Sequence, residues 1–199
     1  MNSKQETIET YNRTASQMAD KFRGIGARVE DINRAFTLTT RQNPSVLEIG
    51  CGDGRDAKEI NSHTDTYLGI DVSTSMIELA QELVSKASFE VADVETYSFP
   101  TGLDIIFSFA SLLHSNKETV ANVLHRAHCS LNKEGIFFIS LKRDDYQSKV
   151  KEDEFGTRTF YFYQPADIKE MLGKKYKVIF EEEQSFQNQD WFTIILQKQ

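Results

Sequence analysis

Cysteine is scarce. Cys51 and Cys129 are the only two in 199 residues, and no CxxC pair is present. That argues against a disulfide scaffold and for a reducing compartment, so the expected location is cytoplasmic. Long apolar runs are missing as well. Nothing approaches the roughly 20 residues that a membrane span needs, and the polar, acidic start MNSKQETIETYNR does not read as a signal peptide. Basic charge is in short supply: 23 Lys and Arg stand against 30 Asp and Glu, a net charge of −7. Such a chain repels a nucleic-acid backbone unless a local basic patch overrides it. The densest basic stretches, KKYK at 174–177 and LKRDD at 141–145, are brief and mixed with acids, and read as solvated faces. No internal repeat or low-complexity tract appears. What is present, 39% hydrophobic and 27% charged residues, suits a soluble core of one domain.

Residues 4–22 carry Ile8, Tyr11, Ala15, Met18, Ala19 and Phe22 near one helical face, with Gly24 and Gly26 breaking the pattern. A second helix is expected over 27–41, and Pro44 closes that region. Beyond it, strand and helix patterns alternate. SVLEI, TYLGI, SFEVA, LDIIFSFA and EGIFFISL read as strands, with helices GRDAKEINS, STSMIELAQELVSKA and KETVANVLHRAHCSL between them. RTFYFY reads as extended, QPADIKEMLG as a short helix, and YKVIFEEE with WFTIILQK as an antiparallel pair. The alternation predicts a doubly wound, mostly parallel sheet with the first two helices as a cap. Ligands of such sheets bind beyond the carboxyl ends of the strands, here after Ile49, Ile70, Ala92 and Phe109.

The first of those ends is the stretch SVLEIGCGDGRDAKEI, where Gly50, Gly52 and Gly54 follow a strand and are flanked by Glu48 and Asp53. Glycine lets the backbone come close to a ligand. Asp71 ends the next strand, 21 residues after Gly50, a spacing at which a carboxylate takes ribose hydroxyls. Together they indicate a nucleoside cofactor. A triphosphate would want GxxxxGK[ST], but residues 55–56 are Arg-Asp. A dinucleotide would want GxGxxG, and would bring its pyrophosphate against Glu48 and Asp53. S-adenosylmethionine carries no phosphate; its sulfonium and ammonium make the same acids attractive.

VLEIGCGDG resembles motif I of the class I S-adenosylmethionine-dependent methyltransferases, written [DE]xGxGxG. LGIDVSTSMIELA, FEVADVETY, LDIIFSFASLLH and LNKEGIFFISL resemble their later motifs, in order, over residues 45–142. The resemblance extends to methyltransferase domains of the 11/25 type that act on small molecules. It implies a Rossmann-like α/β fold: a doubly wound, seven-stranded, mostly parallel sheet with an antiparallel last strand and an N-terminal helical cap. The implied division is a single domain, 1–199, with cap 1–41, cofactor-binding core 45–142 and a substrate-side insertion with closing hairpin 143–199. The implied cofactor is S-adenosylmethionine, with S-adenosylhomocysteine as product. Gly50, Cys51 and Gly52 would cradle its methionine portion while Glu48 organises the loop. Asp71 would take the ribose, Met76 the adenine face, and Asp93, with Val94 beside it, the adenine amino group; Val72 would also border the cofactor. The loop after Phe109 would face the methyl donor, and Tyr11 would close over the cofactor. Gly54 suits helix packing; Arg55 and Asp56 suit a ligand contact or a helix cap.

His114 follows the fourth strand on the acceptor's side and is the candidate catalytic base. In the 143–163 segment Tyr146, Arg158, Tyr161 and Tyr163 are candidate acceptor contacts, the arginine suiting a carboxylate or phosphate. His125, His128 and Cys129 mimic metal-ligand spacing on a helix but lack a fourth ligand, and no metal is expected. The NPPY or DPPY motif of amino-group methylation on bases is absent from SFASLLH. The expected activity is methyl transfer to O or N of a small molecule, without nucleic acid or membrane, by a monomer or homodimer. The alternatives are a protein or tRNA methyltransferase, or a non-catalytic S-adenosylmethionine-binding protein.

Overall fold

The computed structural model describes residues 3–199. Three helices open it: α1 (Ser3–Arg13), α2 (Ala15–Ile25) and α3 (Val29–Thr37). The single helix expected over 4–22 is thus two. At the break, the Thr14 hydroxyl bonds back to the Thr10 carbonyl at 2.8 Å and its backbone leaves helical ψ. Gly24 does not end α2, because a glycine with ordinary helical dihedrals is tolerated; Gly26 at φ +88° ends it. The next helix spans nine residues rather than 27–41.

The alternating region follows as β1 (Val46–Ile49), α4 (Ala57–His63), β2 (Tyr67–Asp71), α5 (Thr74–Leu83), β3 (Ser88–Val91) and β4 (Leu103–Phe109). A 3-10 turn (Leu112–His114) leads to α6 (Lys117–Ser130) and β5 (Leu131–Lys142). The caps come from short polar side chains: Ser73 accepts from Met76 N and Asn116 from Thr119 N. The chain closes with β6 (Gln147–Asp153), β7 (Gly156–Phe162), α7 (Pro165–Leu172), β8 (Tyr176–Phe186) and β9 (Gln189–Lys198). Helix α7 starts at Pro165 behind a capping box between Gln164 and Asp167.

Seven strands form one sheet in the order β3-β2-β1-β4-β5-β9-β8. Strands β1 to β5 are parallel, and β9 runs antiparallel between β5 and β8. Both faces are covered. Along β4, Ile105 and Phe107 pack toward α3 and α4 while Ile106 packs toward α6, so all seven residues of the strand are buried. The order reverses between β1 and β4, and the crevice there is the place where such sheets hold ligands. The β6–β7 hairpin stands apart as a second, two-stranded sheet, with α1 laid against β7 through Thr10 and Thr7.

Candidate active site at the carboxyl edge of the sheet

The turn after β1 is held from within. Gly50 N–H and Cys51 N–H both donate to the Ile70 carbonyl, at 2.7 and 3.0 Å, and Gly54 N–H donates to Cys51. Gly52 N–H donates to Asp71 Oδ2 at 3.0 Å. A phosphate needs free N–H groups, and those of Gly50, Cys51, Gly52 and Gly54 are already bonded. Gly50 sits at φ +71°, and a Cβ there would lie 2.0 Å from Ser111 Oγ, so the turn touches the loop after β4. Gly52, at φ +55°, has open space where its Cβ would be. Gly54 packs against Ala80 of α5.

Acids ring this turn. Glu48 is buried, accepts the Tyr67 hydroxyl at 2.5 Å, and has its carboxyl pushed up to about 8 by burial and by Asp56 nearby. Asp71 accepts from Ser73 N through its other oxygen, and burial raises its pKa despite the N–H bonds it receives. Asp93 is tied to Lys4 Nζ at 2.7 Å, so α1 reaches down to it. Asp53, 2% exposed, is tied to Arg23 of α2 at 2.6 Å. Asp56 neither caps α4 nor faces a ligand freely: it accepts Arg28 N–H at 2.9 Å and pairs with Arg55. The Cys51 thiol is buried, and burial together with Asp71 and Glu48 pushes its pKa well up, which makes it a poor nucleophile.

These groups line a cavity of about 660 Å³, roofed by α1 and α2. That size is ample for a nucleoside and a small partner, in the range of ~300–1,000 Å³ for ligand pockets. Tyr11, Glu48, Gly50, Cys51, Gly52, Asp71, Val72, Met76, Asp93, Val94 and Phe109 all face it. Met76 also joins Ala15, Met18 and Phe155 in the small core that seats the cap. At the far end stand His114, Lys142, Arg158, Phe160 and Trp191, and beyond them the tip of the β8–β9 hairpin, Phe186–Gln189.

His114 is not poised as a base. Its Nδ1 lies 2.6 Å from the Thr159 carbonyl, which can only accept, so Nδ1 carries the proton. Nε2, 3.0 Å from the Tyr11 hydroxyl, therefore accepts from it. Burial lowers its pKa to about 4. Both nitrogens are occupied within the protein, and the ring orients Tyr11. Of the four expected acceptor contacts, only Arg158 reaches the cavity wall. Tyr163 is fully buried in the core with its hydroxyl on the Ser115 carbonyl. Tyr161 alternates with Phe160 and Phe162 along β7 and packs outside the cavity. Tyr146 is exposed and accepts from Lys117 N at 3.3 Å. His125 and His128 lie away from this edge, beside Lys175 and Tyr176.

Residues 46–135 match the family described as "Methyltransferase domain". The N-methyltransferase NodS of Bradyrhizobium japonicum WM9, solved with S-adenosylhomocysteine, superposes with a TM-score of 0.74 at 14% identity, over 97% of this chain and 98% of that one. Residues 46–135 are thus similar to a methyltransferase domain, and the chain shares the fold of such proteins. Malonyl-[acyl-carrier protein] O-methyltransferase 2 of Ilyobacter polytropus is 29% identical over 194 residues, 90% of this chain and 68% of that protein. A methyltransferase of Invertebrate iridescent virus 6 is 30% identical over 108 residues, 53% of this chain and 39% of that protein. The chain thus spans between 39% and 68% of the length of these two curated relatives.

The site fits S-adenosylmethionine. The N–H groups of the turn are bonded within the protein and acids surround it, which disfavours a phosphate and suits a cofactor without one. Asp71 keeps lone pairs for ribose hydroxyls, and the open space at Gly52 leaves the backbone approachable. Sequence reasoning missed Arg23 and Arg28, which fasten the cap to Asp53 and Asp56. It also missed Lys142 and Trp191, paired across β5 and β9. Lys142 had a signal: it ends the fifth parallel strand, at the same edge as Ile49 and Phe109.

Proposed function

We propose that this protein transfers the methyl group of S-adenosylmethionine to an O or N atom of a small molecule. The observation that carries the reading is a single cavity that runs from the acidic glycine turn to a separate far end at His114, Phe160 and Trp191. A cofactor at one end and an acceptor at the other would meet inside it. When bound, S-adenosylmethionine supplies an electrophilic methyl group on a cationic sulfur. Glu48 and the Gly50–Gly52 backbone would hold the methionine portion, Asp71 the ribose, and Met76 and Val94 the adenine. Asp93 would take the adenine amino group once Lys4 yields it. The chain's contribution is alignment and exclusion of water. Tyr11, fixed by His114, walls the cavity between the two ends, and α1 and α2 roof it. An acceptor that arrives with an open lone pair, an ionised oxygen or a neutral amine, needs no base, in keeping with the engaged nitrogens of His114.

Thermal-shift titration with S-adenosylhomocysteine, NAD and ATP in parallel tests the cofactor. Only S-adenosylhomocysteine should raise the Tm, by an amount equivalent to about 2.7 kcal/mol at a hundredfold excess over Kd. Labelled methyl transfer to a panel of small acceptors then tests turnover. No shift, or a shift with NAD, overturns the reading; a shift without any turnover favours a non-catalytic binding protein.

A further inference from the structure

Nearly every cation in the cavity wall has its acid. Lys4 pairs with Asp93, Lys21 with Glu154, Arg28 with Asp31 and Arg55 with Asp56, while Lys151 and Arg158 share Asp153. Lys142 is the exception. Its ammonium lies 3.8 Å from the centre of the Phe160 ring and 5.9 Å from those of Phe162 and Trp191. Among the described residues no carboxylate or hydrogen-bond acceptor is in direct contact with it; Asp153, shared by Lys151 and Arg158, acts on it only from further off. In a chain with 30 acids this is a conspicuous omission. A half-buried ammonium held only by ring faces forgoes hydration that cation–π contacts replace in part. Burial, with Lys151 and Arg158 close by, drops its pKa to about 8. Two more donors at this end lack an acceptor: the buried Nε of Arg158 and Nε1 of Trp191.

We propose that Lys142, backed by Arg158, binds an anionic oxygen group, carboxylate or phosphate, on the methyl acceptor, whose flat apolar body lies along Phe160 and Trp191. The acceptor is then an organic anion, drawn to this point of a −7 chain by a cation that has no acid in contact. The assignment rests on the methyltransferase reading, since that reading makes the far end the acceptor's.

The test uses the whole chain saturated with S-adenosylhomocysteine and titrated with benzoate, phenyl phosphate and neutral benzyl alcohol by calorimetry. At least one anion should bind and benzyl alcohol should not; the tighter of the two anions identifies the group. Lys142→Met should weaken the anion about tenfold or more, and Lys142→Arg should retain it. The K142M protein should bind S-adenosylhomocysteine as the parent does and melt no lower, because an unpaired cation has been removed. The proposal fails if benzyl alcohol binds as well as the anions, if neither anion binds, or if K142M leaves their affinity unchanged. It also fails if K142M loses S-adenosylhomocysteine, since Lys142 would then serve the cofactor's own carboxylate. If the parent protein itself ignores S-adenosylhomocysteine, the methyltransferase reading falls first and takes this assignment with it.

Discussion

Two glycines separated by a single residue have different tasks. At Gly50 a methyl group would lie 2.0 Å from Ser111 Oγ, on a backbone at φ +71°. Gly50→Ala should therefore cost stability, about 2–4 kcal/mol from strain and overlap combined, read as a lower midpoint in urea. At Gly52 the methyl group meets nothing, and only the left-handed backbone resists it, at about 1–2 kcal/mol. Gly52→Ala should unfold closer to the parent protein but bind S-adenosylhomocysteine poorly, because its methyl group projects from the cavity wall. Equal loss of binding and stability in both variants would refute the distinction. Residues of this kind were legible in the sequence because their meaning is local. Gly50, Gly52 and Asp71 lie within one strand–turn–helix–strand unit, and spacing alone brings them together. Lys142 was harder to read: its LKRDD setting suggests solvent, and its place at the end of the fifth strand gains its meaning only through the pairing with Trp191, far along the chain.

Among the elements, α2 has a seat that a single change can loosen. Its Arg23 reaches Asp53, a buried carboxylate in the glycine turn, at 2.6 Å. Arg23→Met would strand that carboxylate. Arg23 is itself 37% exposed, so water screens part of the interaction, and the expected cost is about 1–3 kcal/mol. Amide exchange in α2 should accelerate while β4, buried along its whole length, stays protected. Uniform acceleration would mean that the cap does not open by itself. The parallel strands and their helices announced themselves by apolar pattern; the β6–β7 hairpin did not. Its strand QSKVKED is charged and almost wholly exposed, so it carries no alternation to recognise. It is a strand because β7 pairs with it, and β7 in turn is buried against α1 and the sheet's core. The break at Thr14 is hidden for a similar reason, since a threonine hydroxyl on a helix carbonyl leaves no mark in the apolar face.

For the molecule as a whole, the buried acids set how stability follows pH. Glu48 titrates near 4.5 when unfolded and near 8 in the fold. Between those values the folded protein keeps a proton that the unfolded chain has released, so stability falls as pH rises, by up to about 1.4 kcal/mol per pH unit. Asp71, also shifted upward, acts in the same direction. The Tm of the parent protein should drop between pH 5 and pH 8, and Glu48→Gln, whose amide oxygen can still accept from Tyr67, should flatten that drop. A profile unaltered by E48Q would show that Glu48 is ionised in the fold. The distribution of the site along the chain has another consequence. The groups assigned to the cofactor lie between Glu48 and Val94, apart from Tyr11 on the cap and Phe109 at the end of β4, and those assigned to the acceptor between Lys142 and Trp191. Inheritance can act on the two stretches independently. A graft that exchanges the segment after β5 between relatives would carry the choice of acceptor with it and leave the grip on the methyl donor where it was.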